Sequence, residues 1–150
     1  MDERVRTMEN HLDGLFDAVE AVVQKDDAAF HRAMKEVEKA GDAPGAQDGG
    51  MLEAVHARAK ELAKAPDGRA RAQGVVDLLD QCRACHTTNG VSMRDGFTYE
   101  TPARELLAAL LWEDELRWAA AAKGFPGSEP LSAATTWSAR RTAFVDALAR

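Results

Sequence analysis

Cysteine, tyrosine and aromatic side chains are scarce in this chain. It has two cysteines, one tyrosine and 6% aromatics among 150 residues. Two cysteines cannot staple a disulfide scaffold, so the fold must rest on its own apolar core. Proline (5) and glycine (11) are few and gather in short clusters. A basic excess is missing: 19 basic against 25 acidic residues give a formal net charge of −6. With no local basic stripe either, a nucleic-acid partner is not expected. No apolar run approaches the roughly 18 residues that a spanning helix needs, so no membrane span is expected. The opening MDERVRTMEN has no apolar stretch of signal-peptide type. On that ground alone the chain is cytosolic or has lost a leader.

What is abundant is alanine, 29 of 150 residues, within an apolar fraction of 45%. That profile predicts an all-α domain with short connections. No strand alternation competes with it. Six helical segments follow from periodicity and punctuation. The first runs from about Asp2 to Lys25, with Val5, Met8, Leu12, Leu15, Val19 and Val22 on one stripe. Asp26-Asp27 caps a second to about Lys39, and Gly41 to Gly50 reads as a loop. The third covers about Met51 to Lys64. Asp67 caps a fourth that reaches about Thr88, with Val75, Leu78, Leu79, Cys82, Cys85 and His86 along its stripe. Thr87 to Tyr99 reads as irregular. Thr101-Pro102 opens a fifth helix ending before Gly124, and Ser128-Glu129-Pro130 opens a sixth carrying Trp137, Arg141, Phe144 and Leu148.

Both cysteines sit in Cys82-Arg83-Ala84-Cys85-His86. This is C-x-x-C-H, the attachment signature of c-type haem. The spacing suits the chemistry: two thioethers reach the two vinyl groups, and the next imidazole becomes the proximal iron ligand. A thioredoxin-like pair would need a βαβ context. A structural zinc site would need a fourth ligand beside Cys82, Cys85 and His86. One covalently attached haem c is therefore expected, with Cys82 and Cys85 as anchors and His86 as ligand. Thioether attachment takes place outside the cytoplasm, so a periplasmic or otherwise exported protein is expected, its leader absent from this sequence.

With this motif late in a fourth helix, the chain resembles the class II cytochromes c, the cytochrome c-prime family. The resemblance covers roughly Val5 to Gly90. It implies a four-helix bundle over residues 1–90. Residues 87–150 depart from the family, in which little follows the motif; residues 100–150 are expected to form a C-terminal helical hairpin packed on the bundle. The whole chain also resembles longer bacterial proteins with Met-x-x-His near the start and a Trp-bearing helix after the motif. Met8-Glu9-Asn10-His11 matches the first element, and Trp112 and Trp118 the second. Leu107 and Leu110 stand where a second Met-x-x-His would fall, so a second histidine site is not expected.

In an up-down-up-down bundle the end of helix four lies beside the starts of helices one and three. That level holds Met8, His11 and His56, whereas His31 starts helix two at the far end. Met8 and His11 are three apart and share a face. Three readings stay open: His11 is the distal ligand, Met8 is, or neither is and the iron is open to small gases such as NO and CO. His11 is preferred, because an imidazole on an apolar stripe needs a polar partner. His56, at the edge of its stripe, reads as a surface or propionate contact before it reads as a ligand, which is the remaining alternative for the distal position. Arg83 and Arg94 are candidates for the propionates. Tyr99 lies in the loop after the motif, Asp80 reads as solvent-facing, and Glu113, Asp114 and Glu115 read as a solvated face. The tryptophans are expected to pin the hairpin to the bundle or over a haem edge.

No acid–base pair or nucleophile constellation appears, so an enzyme is not expected. The expected function is one-electron transfer with redox partner proteins. The alternatives are a five-coordinate gas-binding haem protein, or a haem subunit that self-associates or docks into a larger redox assembly through its C-terminal hairpin.

Overall fold

The computed structural model describes residues 3–39, 51–88 and 99–150, with side chains for 11–39, 52–87 and 99–150. The glycine-rich stretch Gly41 to Gly50, most of the irregular stretch after the motif, and Arg94 lie outside the described residues. Among those described there are eight helices and no strand, so the chain is all-α. None of these helices is long and apolar enough to cross a membrane.

Helix α1 (Glu3–Gln24) buries Leu12, Leu15, Val19 and Val22, the expected stripe. It ends at Lys25 in the left-handed region (φ 54°). Asp26 Oδ1 accepts from Ala29 N at 2.9 Å and so caps α2 (Asp27–Lys39). The two helices meet closely at Gly14. A Cβ there would lie 2.5 Å from Val37 Cγ2 and 3.3 Å from the Ala33 carbonyl oxygen. Helix α3 (Met51–Leu62) leads to α4 (Gly68–Thr88), which Asp67 caps by accepting from Ala70 N at 2.9 Å. Here too a glycine allows the approach: a Cβ on Gly74 would fall 2.2 Å from Leu62 Cδ1. Helix α1 packs on α2 and α4, α2 on α3, and α3 on α4, which closes the ring around one core.

The second half differs from the expected two-helix hairpin. It is four helices: α5 (Pro102–Trp112), α6 (Glu115–Gly124), α7 (Glu129–Ala133) and α8 (Trp137–Leu148). Thr101 caps α5 as expected, with Pro102 in the first turn. The helix then stops at Glu113, which is left-handed (φ 50°), and Asp114 Oδ1 accepts from Arg117 N at 3.0 Å to start α6. An aspartate side chain competes well for backbone N–H groups, so it caps rather than continues. Thr136 does the same for α8, accepting from Ala139 N at 3.1 Å. Helix α5 lies against α1 and α4, α8 lies mainly against α4, and α6 and α7 cover α5 and α8.

An aromatic–arginine stack locks this second half. Trp118 is buried and its indole N–H donates to the Leu131 carbonyl at 3.1 Å. Trp137 meets it edge-on, with ring centroids 6.3 Å apart. The Arg140 guanidinium lies 4.3 Å from the Trp137 centroid and donates to both Glu115 carboxylate oxygens, at 3.1 and 3.2 Å. Its Nε donates to the Ala134 carbonyl at 3.2 Å. Buried arginine charge is tolerable when its donors are met and a ring covers its face.

Candidate functional site

Cys82, Cys85 and His86 occupy the last turns of α4. Positions i, i+3 and i+4 share one helix face, so the motif presents its two sulfurs and its imidazole together. That face looks into a small recess of about 40 Å³ between α1, α3 and α4. Leu12, Leu52 and Val55 form its apolar walls, and His11, Cys82, Cys85 and His86 complete the lining. Three larger clefts hold neither thiol nor imidazole. One is walled by Asp17, Glu20, Arg32, Glu36 and Arg104, another by Trp112, Glu113, Asp114 and Arg117, and the third by Val23, Pro102, Phe125 and Pro126.

His11 enters the recess from α1 and is only 4% exposed. One polar partner of this buried imidazole is His56, from α3. The two Nε2 atoms are 3.0 Å apart, and the rings lie nearly parallel, 13° between planes with centroids 5.2 Å apart. In such a bond one Nε2 donates and the other accepts, so at least one of the two rings is neutral. His56 is half-buried, and its place beside His11 departs from the surface contact expected of it. What its own stripe could not reveal was the rotation of α3 relative to α1. His31 lies exposed near the start of α2 and lines no part of this recess. The side chain of Met8 lies outside the described residues.

Burial sets the protonation of the motif. It pushes the Cys82 thiol up to about 12, with the neighbouring Cys85 adding to the rise. A thiol held that high stays protonated at neutral pH, unlike the lowered thiolate of a redox-active pair. Burial also holds His86 below the ordinary histidine value, which keeps the imidazole neutral and its lone pair available. No disulfide joins Cys82 and Cys85. No group of three His, Cys, Asp or Glu side chains among the described residues is gathered to hold a bare metal ion.

The donor set suits haem c. Two thiols and a neutral imidazole share one face of α4, and a second buried imidazole lines the same recess with apolar neighbours. Four sets of contacts surround the motif, of which the one at Arg83 departs from the propionate role expected of it. Arg83 bonds to Glu113 across the α5–α6 corner, which ties the motif helix to the second half. Asp80 pairs with Arg141 at 3.0 Å instead of standing alone in solvent. The acidic run is exposed at Asp114 and Glu115, as expected, and each member also has a partner: Glu113 on Arg83 and Arg141, Asp114 on a helix start, Glu115 on Arg140. Tyr99 packs on Phe16 of α1, centroids 4.2 Å apart, with Arg117 over its other side at 5.8 Å.

No protein-family model, no curated protein and no solved structure matches this chain.

Proposed function

We propose that the protein is an exported monohaem c-type cytochrome that carries one electron, built on a four-helix bundle of cytochrome c-prime type. The observation that supports this most is the shared face of Cys82, Cys85 and His86, turned into an apolar recess that also holds His11. Cys82 and Cys85 are the thioether anchors: each S–H adds across one vinyl group, the sulfur bonding to carbon and the hydrogen passing to the neighbouring vinyl carbon. His86 would hold the iron through its neutral imidazole, and His11, with Met8 as the alternative, would supply the second protein ligand. Haem, when bound, supplies the one-electron iron couple. Leu12, Leu52 and Val55 exclude water from the ligands. His86, kept neutral by burial, needs no deprotonation to bind.

Two strong axial imidazoles favour electron transfer over gas binding, which needs an open distal position. The docking-subunit alternative would draw on exposed apolar surface in the second half. Among the described residues, Leu116, 85% exposed at the start of α6, is the one large apolar side chain exposed there.

The test is periplasmic expression with a haem-attachment system. The expected product keeps haem on a denaturing gel, is low-spin in both oxidation states and ignores carbon monoxide. Cys82→Ala with Cys85→Ala removes the covalent haem. Exported, folded protein that carries none sinks the proposal. A high-spin product that shifts on carbon monoxide moves the gas-binding reading ahead.

A further inference from the structure

His11 lines the recess opposite the motif, and a second imidazole, His56, stands directly behind it. We infer that His56 is a reserve iron ligand: His11 is the resident, and His56 takes the same axial position when His11 is removed or displaced. The inference rests on the haem reading above and concerns only this chain's own residues.

The geometry carries it. The Nε2 atoms of His11 and His56 face each other 3.0 Å apart, so both point at one spot beside the recess. A metal reached by one is within a small side-chain movement of the other. The two rings come from different helices, α1 and α3, so losing one does not dismantle the other's support. Iron can take only one of them. The Nε2 that accepts the hydrogen bond offers the lone pair that coordination uses, so ligation by either ring breaks the pair and releases its partner.

Exposure sets the order. If His11 binds, the released ring is His56, which is half-exposed and can turn to water. If His56 binds, the released ring is His11, 4% exposed in an α1 stripe with Leu12, Leu15 and Phe16. His11 also lines the recess that holds Cys82, Cys85 and His86, and His56 does not. His11 is therefore the better resident. His56 becomes the better ligand only when His11 no longer competes.

The experiment compares four holoproteins by electron paramagnetic resonance and visible spectra: wild type, His11→Ala, His56→Ala and the double variant. Wild type and His56→Ala are expected to be low-spin with the same g-values. His11→Ala is expected to keep at least half of its haem low-spin, with shifted g-values. The double variant is expected to be high-spin and to return to low-spin with added imidazole, which also shows its pocket is intact. His11→Gln repeats the single test with a side chain of similar bulk and poor affinity for iron, should alanine unsettle the fold. A His11→Ala haem as high-spin as that of the double variant overturns the proposal. So does a low-spin double variant, whose ligand would be neither ring, and a high-spin His56→Ala, which would reverse the order. Absence of covalent haem from all four on a denaturing gel removes the haem reading itself, and this proposal with it.

Discussion

The two halves of the molecule differ in their most deeply buried polar contact. All four histidines and both cysteines precede residue 87, and all three tryptophans follow it. In α1–α4 the buried polar contact is His11 with His56, one bond between two rings that each could give to something else. In α5–α8 it is Arg140, whose donors are fixed on Glu115 and the Ala134 carbonyl and whose face is covered by Trp137. The first arrangement can be exchanged for a ligand. The second leaves nothing to exchange. The first half is therefore the site, and the second is a frame held against α1 and α4.

The sharpest way to break that division is Trp118→Ala. It removes a fully packed indole, its bond to Leu131 and its contact with Trp137. Truncating a buried tryptophan typically costs about 3–5 kcal/mol. A urea midpoint should report a loss of that size while haem attachment and spin state stay as in the wild type. A spin-state change would show that the frame sets the ligand geometry, and the division would be wrong. The link through Arg83 and Glu113 is where such coupling would travel.

A smaller effect is expected one turn beyond His11. Gly14→Ala places a Cβ against Val37 and the Ala33 carbonyl. Overpacking of this kind costs about 1–3 kcal/mol, against about 1 kcal/mol gained in helix propensity. A net loss of about 1 kcal/mol is expected. Gly68→Ala meets nothing within 4 Å at the start of α4 and should hold or slightly raise stability. Equal midpoints for the two variants would mean that α1 and α2 are not held as close as they stand here.

The sequence was legible wherever the signal was local. Asp26, Asp67 and Thr101 cap the helices their positions predict, because a cap is chemistry between neighbours. The common face of Cys82, Cys85 and His86 follows from their spacing alone. So does the burial of His11, which sits on the stripe of Leu12 and Leu15. The break at Glu113 was hidden because apolar residues continue on both sides, through Leu111, Trp112, Leu116 and Trp118; one aspartate side chain decides it. The His56 contact was hidden for a different reason. It depends on how α3 is rotated against α1, and no periodicity within α3 encodes that. Proximity in sequence suggested propionates for Arg83, but its partner Glu113 lies 30 positions away along the chain.

The smallest effect separates the exchangeable half from the fixed one by pH. The hydrogen bond from Arg140 to Glu115, and then the guanidinium's charge, hold this carboxyl below the usual range. The unfolded chain therefore binds a proton at Glu115 more readily than the folded one. The resulting stability is fully present above the unfolded value of about 4.3 and is lost as the pH falls through the folded one. Glu115 is largely exposed, so the effect should be modest and weaken with salt. Glu115→Gln should lower the urea midpoint at pH 7 and match the wild type at pH 2, where both side chains are neutral. Asp27, lowered by its hydrogen bond from Arg71 and then by that charge, is the counterpart in the first half, and Asp27→Asn should show the same convergence. Equal urea midpoints for Glu115→Gln and the wild type at pH 7 would mean that Arg140 is held by its rings and the Ala134 carbonyl, and that the carboxylate's charge adds nothing to the frame.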